Sequence, residues 1–321
     1  MNEKKFDVKA FLRQYSTLVT FVVMVIVATI ATKGVFFSKD NLLNVLERAS
    51  IIGIVALGQG ICIFSGNIDL CVNSTMDIAF TSIAVLTHAN GWDFGPAVLV
   101  ALLIGAAVGV VNGVIVSNTN IPAWLVTLST MMIVAAIALW WSGTTEIRFY
   151  DLQEWINGLF HMNEATSRVF SGLVWIFFGI VFALMLSKTR FGKNIYMVGG
   201  GSRAAYLSGT RTKGVIVLIY VISGLMATLA GIVFAYRVPS LNPTSAEAYQ
   251  LYSIAAVYLG GASASGGEGS SFGTFFGALV LAMLTNVLNV CQVNIYIQNT
   301  IMGALLILIV FFVSALRKSS K

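Results

Sequence analysis

Charge is what this sequence has least of. Only 10% of its 321 residues are Asp, Glu, Lys or Arg, 57% are hydrophobic, and the mean hydropathy is +0.87. An average soluble domain carries about 25% charge. A soluble fold cannot hide this much apolar surface, so the composition excludes that class and indicates a polytopic membrane protein. Cysteine and histidine are scarce too. Cys62, Cys71 and Cys291 form no CxxC pair and lie in or beside apolar runs, which reads as small buried hydrophobes. His88 and His161 are far apart and form no HExxH, so no metal site is expected. GxxxxGK[ST] is absent. Gly199, Gly200 and Gly201 precede Ser202 and Arg203, and Gly266, Gly267 and Gly269 lack a lysine, so the chain should not bind ATP by itself. With no GxSxG and no recognisable carboxylate pair, no enzyme activity and no cofactor are expected. The net charge of +6 sits in loops and tails, which fits membrane topology and not a nucleic-acid partner.

The apolar residues fall into runs of membrane-spanning length. Candidate spans are 16–32, 43–64, 70–88, 94–116, 122–141, 169–187, 215–238, 250–264, 272–291 and 296–316. The first follows Lys4, Lys5, Lys9 and Arg13 but is followed by no small-x-small cleavage site, so it reads as an uncleaved helix. About ten spans place both termini on one side. The positive-inside rule makes that side the cytoplasm. It then holds the N-terminal charges, the basic stretch 188–213, Arg317, Lys318 and Lys321, and leaves Lys33, Lys39, Arg48, Arg148, Arg168 and Arg237 outside. Glycines four apart, Gly105, Gly109 and Gly113 within span 94–116 and then Gly269, Gly273 and Gly277 preceding and entering span 272–291, suggest closely packed helices in two units of opposite direction. Inverted repeats of this kind are a transporter signature.

Three polar interruptions stand out. The stretch Lys188 to Lys213, KTRFGKNIYMVGGGSRAAYLSGTRTK, holds six of the 19 Lys and Arg and no acid, so it stays in the cytoplasm and can dock a soluble partner. Within it Ser202–Gly209 predicts a short helix with Ser202 as N-cap and Gly209 as left-handed C-cap. Ala204 and Ala205 would permit close docking, Tyr206 and Leu207 apolar contact, and Arg203 a rim charge. Ser65–Asp77, SGNIDLCVNSTMD, puts Asn67, Asp69, Asn73, Ser74 and Asp77 between apolar runs. Buried polar groups are costly in lipid, so this is either a substrate-facing gate or a helix-connecting turn capped by Asn67 and Asp69. The segment 142–168, with Glu146, Arg148, Asp151, Glu154, Trp155, Glu164 and Arg168, predicts a structured loop on the outer side.

Five blocks in fixed order carry a resemblance. SGNIDLCVNS (65–74) is similar to SGGIDLSVGS, and IPAWLVTLSTM (121–131) to an element Q-x-F-x-x-TL-x-M-M. TRFGKNIYMVGGGSRAAYLSG (189–209) is similar to TR-x-G-x-x-x-x-A-x-G-x-N-x-x-AA-x-x-SG. SGLMATLAGIV (223–233) and AAVYLGGASASGGEGSSFGTFFGAL (255–279) match the last two. Over nearly its whole length the chain thus resembles the permease subunit of bacterial ABC importers for ribose and related monosaccharides. The resemblance implies a single all-α permease domain over 1–321, with a fold like the vitamin B12 importer permease. It also implies an inner-membrane location, a second permease subunit (the same chain or a sibling), cytoplasmic ATPase subunits and a periplasmic sugar-binding protein. It places the coupling helix within 188–213. Asn67, Cys71, Asn73 and the pair Ser202-Arg203 depart from the usual residues, which leaves the sugar open.

A conduit for a neutral, hydroxyl-rich solute needs few charges and a sparse polar lining. The candidates are Asn67, Asp69 and Asn73, then Trp124, Thr127, Ser129 and Thr130, whose Thr127 and Thr130 share a helical face, then Asn286 and Asn289. The competing reading has Trp124 anchoring at the interface and the hydroxyls bonded to their own helix. Arg148 or Arg168 would meet carboxylates on a binding protein. Alternatives are the same machine for another small polar solute, a passive channel, or a membrane anchor.

Overall fold

In lipid every backbone N–H and C=O must be satisfied within the segment, so apolar runs fold as helices. The structure, a computed structural model, describes residues 8–318 and is 79% helical. Its helices are α1 (Val8–Ala31), α2 (Lys39–Phe64), α3 (Val72–Ala84, continued by a π turn Val85–Ala89), α4 (Phe94–Asn118), α5 (Ala123–Ser142), α6 (Tyr150–Leu159), α7 (Glu164–Lys188), α8 (Arg190–Gly200), α9 (Ser202–Leu207), α10 (Thr212–Arg237), α11 (Glu247–Leu259), α12 (Ser271–Val290) and α13 (Ile295–Lys318). A two-residue antiparallel ribbon, β1 (Ile147–Arg148) with β2 (Ser240–Leu241), pairs Ile147 with Leu241.

Each apolar interval read from the sequence lies on a helix. Six helices (α2, α4, α5, α7, α10 and α12) are long and apolar enough to cross a membrane, and Leu18–Ala31 and Ile295–Leu308 are shorter apolar stretches. The interval 250–264 is shorter than expected: α11 stops at Leu259, and a glycine-rich loop fills 260–270. Lys4, Lys5 and Lys321 lie outside the described residues. Arg48, assigned above to the outer surface, lies inside α2 beside Glu47.

The core centres on α2, buried from Ala49 to Phe64 and packed by α7, α10, α11 and α12. By contrast α4 and α5 turn apolar side chains outward: Leu103, Met132, Ile133 and Trp140 are exposed, a stable arrangement where lipid is the solvent. The glycine rows do what their spacing suggests. A Cβ at Gly113 would sit 2.7 Å from Val217 Cα, and Gly105 and Gly109 would likewise strike α10; Gly277 would strike Ala256 of α11 and Gly273 the Gly260 just after it, while Gly269 would strike the Phe64 ring of α2. Side-chain caps fix the helix starts. Ser38 accepts from Asn41 N, Thr189 from Gly192 N and Ser270 from Gly273 N, while Asn163 and Thr166 cap α7 reciprocally.

Candidate functional site

The basic segment folds as two short helices outside the long ones. α8 is amphipathic: Gly192, Ile195 and Val198 are buried, and Arg190, Lys193 and Met197 are exposed. α9 is the expected short helix, with one correction. Ser202 is its first residue, and Gly201 takes the N-cap position without a side-chain bond. Gly201, at φ 163° and ψ 100°, turns the chain between α8 and α9, so no residue remains between them for a serine cap. Gly209 is left-handed as expected, at φ 85°. Ala205 is buried, whereas Ser202, Arg203, Ala204, Tyr206, Leu207 and Ser208 are exposed. Tyr206 and Leu207 are 68% and 78% exposed and stand next to each other on a short helix that also carries exposed Arg203.

The far end of α8 meets two other backbones. A Cβ at Gly199 would strike Phe64 O and lie 2.5 Å from Gly267 N, and Gly266 is as close to Gly66. Gly267 N donates to Phe64 O at 2.8 Å, and Tyr196 Oη donates to Gly269 O at 2.9 Å. The Phe64 and Tyr196 rings stack with centroids 5.8 Å apart. The sequence reading treated these glycines only as failed phosphate loops; their packing role was missed.

The stretch 65–71 is a turn between α2 and α3 in which Ser65, Asp69 and Cys71 are buried and Gly66 is exposed. Asp69 is 3% exposed. Its Oδ1 accepts from Cys71 N at 2.9 Å and its Oδ2 from Ser223 Oγ of α10 at 2.8 Å. Asp69 therefore caps the approach to α3 and ties it to α10. Asn67 caps no helix; its Nδ2 donates to Ser65 Oγ at 3.0 Å. Asn73 is buried in α3 with its Oδ1 unbonded, and Asp77 Oδ1 accepts from Ala246 N at 3.0 Å. Tyr220 Oη donates to Ile68 O at 3.1 Å. Tyr220 and Ser223 were not singled out from sequence; their signal was polarity inside the apolar run 215–238.

Thr127 and Thr130 part company. Thr127 is fully buried, its Oγ1 accepting from Leu70 N at 3.1 Å and donating to Ala123 O at 3.0 Å. Thr130 bonds Val126 O and, with Ser129, edges a groove of about 680 Å³ between α4 and α5 whose other lining residues are apolar, Ile104, Leu125 and Ile133 among them. Trp124 is 51% exposed. Asn286 and Asn289 act as interhelix and loop ties: Asn286 Nδ2 donates to Asn41 Oδ1 at 3.0 Å, and Asn289 Oδ1 accepts from Gln298 Nε2 at 2.9 Å.

The segment 142–168 is ordered. β1 pairs with β2, and α6 buries Leu152 and Ile156 and sets Trp155 against Phe94. Tyr236 Oη donates to Asn157 Oδ1 at 2.8 Å. Glu146 accepts from Ser240 Oγ, and His88 Nε2 lies 3.1 Å from Arg148 O. Arg168 is engaged: its Nη1 is 2.6 Å from Asp40 Oδ1. The Arg148 side chain forms no ion pair among the described residues. A less exposed pair, Arg237 Nε to Glu47 Oε2 at 3.0 Å, lies between α10 and α2.

A bundle of long apolar helices, a polar turn tied to α5 and α10 and an amphipathic basic segment outside the long helices define a multi-pass membrane transport component. The comparisons with known proteins specify it further. A family described as branched-chain amino acid transport system / permease component matches residues 41–310, and the chain belongs to that family. It is 35% identical to the ribose import permease of Escherichia coli K12 over 96% of this chain and 95% of that protein. The ribose import permease of Haemophilus influenzae is 32% identical, over 95% and 94% of the two chains. The D-allose transport permease of Escherichia coli K12 is 28% identical, over 95% and 93%. No solved structure matches the chain at a significant level.

Proposed function

We propose that this chain is the membrane subunit of an ATP-driven importer that carries a ribose-like monosaccharide into a bacterial cell. The observation that carries the reading is end-to-end similarity to ribose import permeases, with 35% identity over 96% of the chain. In this reading the chain crosses the inner membrane about ten times in a vitamin B12 importer-like fold with an inverted repeat, both termini are cytoplasmic, and a second permease subunit completes the pathway. ATP is hydrolysed on partner subunits that dock on Ser202–Gly209, where Tyr206 and Leu207 stand exposed and Ala205 fixes the helix to the bundle. A periplasmic binding protein delivers the sugar to the face carrying β1 and α6. Arg148 suits its carboxylates, while Arg168 must first leave Asp40.

The sugar path needs no tight site, because selection resides in the binding protein and a deep well would slow release. Asn67, Asn73, Ser129, Thr130 and Trp124 remain candidates for its lining. Thr127, Asp69, Asn286 and Asn289 instead hold helices together, and they shape the path through the elements they fix. Similarity to a D-allose permease and to an autoinducer 2 permease supports a second reading, the same machine for another polar solute. The test is reconstitution with the ATPase and binding protein in proteoliposomes. Labelled D-ribose should accumulate only when ATP is inside the site-accessible compartment. Ribose equilibration without ATP would establish a facilitator and refute the proposal; ATP-driven uptake of another solute with none of ribose would establish the second reading.

A further inference from the structure

At the end of α8 three backbones touch with no side chain between them: Gly199, the turn at Phe64–Gly66 after α2, and Gly266–Gly267 in the loop between α11 and α12. Gly66, Gly266 and Gly267 each adopt φ 77°, a conformation that favours glycine. Gly199 has no such backbone need. It is excluded from carrying a side chain by contact alone, since a Cβ there would overlap Phe64 O and Gly267 N, whereas its neighbour Gly200 has nothing within 4 Å. The contact is clamped by the Gly267 N to Phe64 O bond and by Tyr196, which stacks on Phe64 and donates to Gly269 O at 2.9 Å.

We propose that this three-way backbone contact is the joint that carries displacement of the α8–α9 segment into the bundle, with Gly199 and Tyr196 as its positioning residues. The proposal rests on the reading of α8–α9 as the ATPase-docking segment. Side chains at an interface absorb small shifts by changing rotamer; close-packed backbones have no such slack and move together. What lies beyond the joint suits this task. Two positions past Gly66, Ile68 O accepts from Tyr220 of α10; Asp69 is held by Ser223, also of α10; and Leu70 N is held by Thr127 of α5. A push at Gly199 therefore reaches the turn after α2 directly and α5 and α10 at the next contact. The same push reaches α12 through the 260–270 loop, whose last residue, Ser270, caps that helix. Nothing in this chain of contacts requires the docking surface itself, so damage to the joint and damage to docking have different signatures.

The experiment uses the whole transporter, permease with ATPase and binding protein, in proteoliposomes. Gly199→Ala and Tyr196→Phe are compared with Gly200→Ala, which adds the same methyl group one residue on. Two quantities are read: ATP hydrolysed per labelled D-ribose imported, and the maleimide labelling rate of Leu70→Cys in a Cys291→Ser background, with and without vanadate-trapped nucleotide. The expected result is near-parental hydrolysis with uptake reduced about tenfold in Gly199→Ala and roughly threefold in Tyr196→Phe. Both should lose the nucleotide-dependent change in labelling, and Gly200→Ala should behave as the parent. Parental coupling and labelling in Gly199→Ala and Tyr196→Phe would overturn the proposal. So would loss of hydrolysis in step with uptake, which marks lost docking. If Gly199→Ala fails to assemble, Tyr196→Phe, which removes one hydroxyl, decides alone. The labelling change needs no transported solute. A parent that shows it but imports no ribose refutes the sugar reading, and the variants still judge the joint.

Discussion

A single methyl group added at Gly109 should separate the two most extensively packed helices of the bundle. A Cβ built there lies 2.6 Å from Val221 Cα and 2.8 Å from the Tyr220 carbonyl carbon, and nearer still to that carbonyl oxygen. Ordinary carbon–carbon contact is about 3.5–4.0 Å, so α4 and α10 must part by roughly 1 Å. The obstructing atoms are backbone, so no rotamer change can relieve the overlap. Overpacking of this kind costs about 1–3 kcal/mol, partly offset by up to ~1 kcal/mol from replacing glycine with alanine in a helix. Gly214→Ala is the matched control. Gly214 lies in the first turn of α10 with nothing within 4 Å of its Cβ, so only the helix-propensity gain applies, about 0.5–1 kcal/mol. The two variants should differ by about 2 kcal/mol, or ~30-fold in the unfolding constant. Unfolding in mixed dodecyl maltoside–SDS micelles, followed by helical circular dichroism, measures this. Equal stability of Gly109→Ala and Gly214→Ala would show that α4 and α10 are not packed through their backbones.

Three further outcomes follow from the geometry and use the same unfolding measurement. Thr127→Val leaves the part-buried Leu70 N–H without its fully buried acceptor and should cost about 1–3 kcal/mol, whereas Thr130→Val loses only a bond to its own helix and should be nearly neutral; similar losses at both would refute the tie between α5 and the α2–α3 turn. Arg168→Ala breaks an exposed pair with Asp40 and should cost less than about 1 kcal/mol, while Arg237→Ala strands the mostly buried Glu47 and should cost clearly more than ~1 kcal/mol; the reverse order would contradict the burial of the two pairs. Ser223→Ala removes the donor to Asp69 Oδ2 and should cost about 1–3 kcal/mol, and in Asp69→Asn it should cost measurably less, because a double-mutant cycle reads the shared bond. Additive losses would show that the two side chains do not interact.

The helices were legible because their signal is composition summed over some twenty residues, and lipid permits few other structures. The stretch from Lys188 to Lys213 was legible for the complementary reason, as polarity where apolar residues prevail. Its cap was misplaced by one residue, since a glycine with extended backbone can take a cap position that sequence rules reserve for serine. The connector at Asp69 was read as either gate or capped turn. The chain does turn there, with Asp69 and not Asn67 bonded at the start of α3, and Asp69 gains a partner, Ser223, which lies 154 positions away and has no local signature. Thr127 and Thr130 share a face by helical arithmetic, yet one is sealed by Leu70 and the other edges a groove, because a face 60° wide can straddle the boundary of a contact. Gly199 and Gly267 look like a phosphate loop without its lysine. Only the fold reveals that they make room for each other.

The ribbon of β1 and β2 sets an order on how the protein is made. Arg148 is paired with Ser240, so the end of α5 gains its last attachment only when roughly 90 further residues have been translated, which takes about 5–20 s at ordinary elongation rates. During that interval α5 already stands against α3 and α4, with the same outward apolar face it keeps in the finished protein, but its following loop is unpinned. Arrest of translation between β1 and β2 would therefore leave an inserted but unlatched half-bundle, a target for membrane quality control that the finished protein no longer presents.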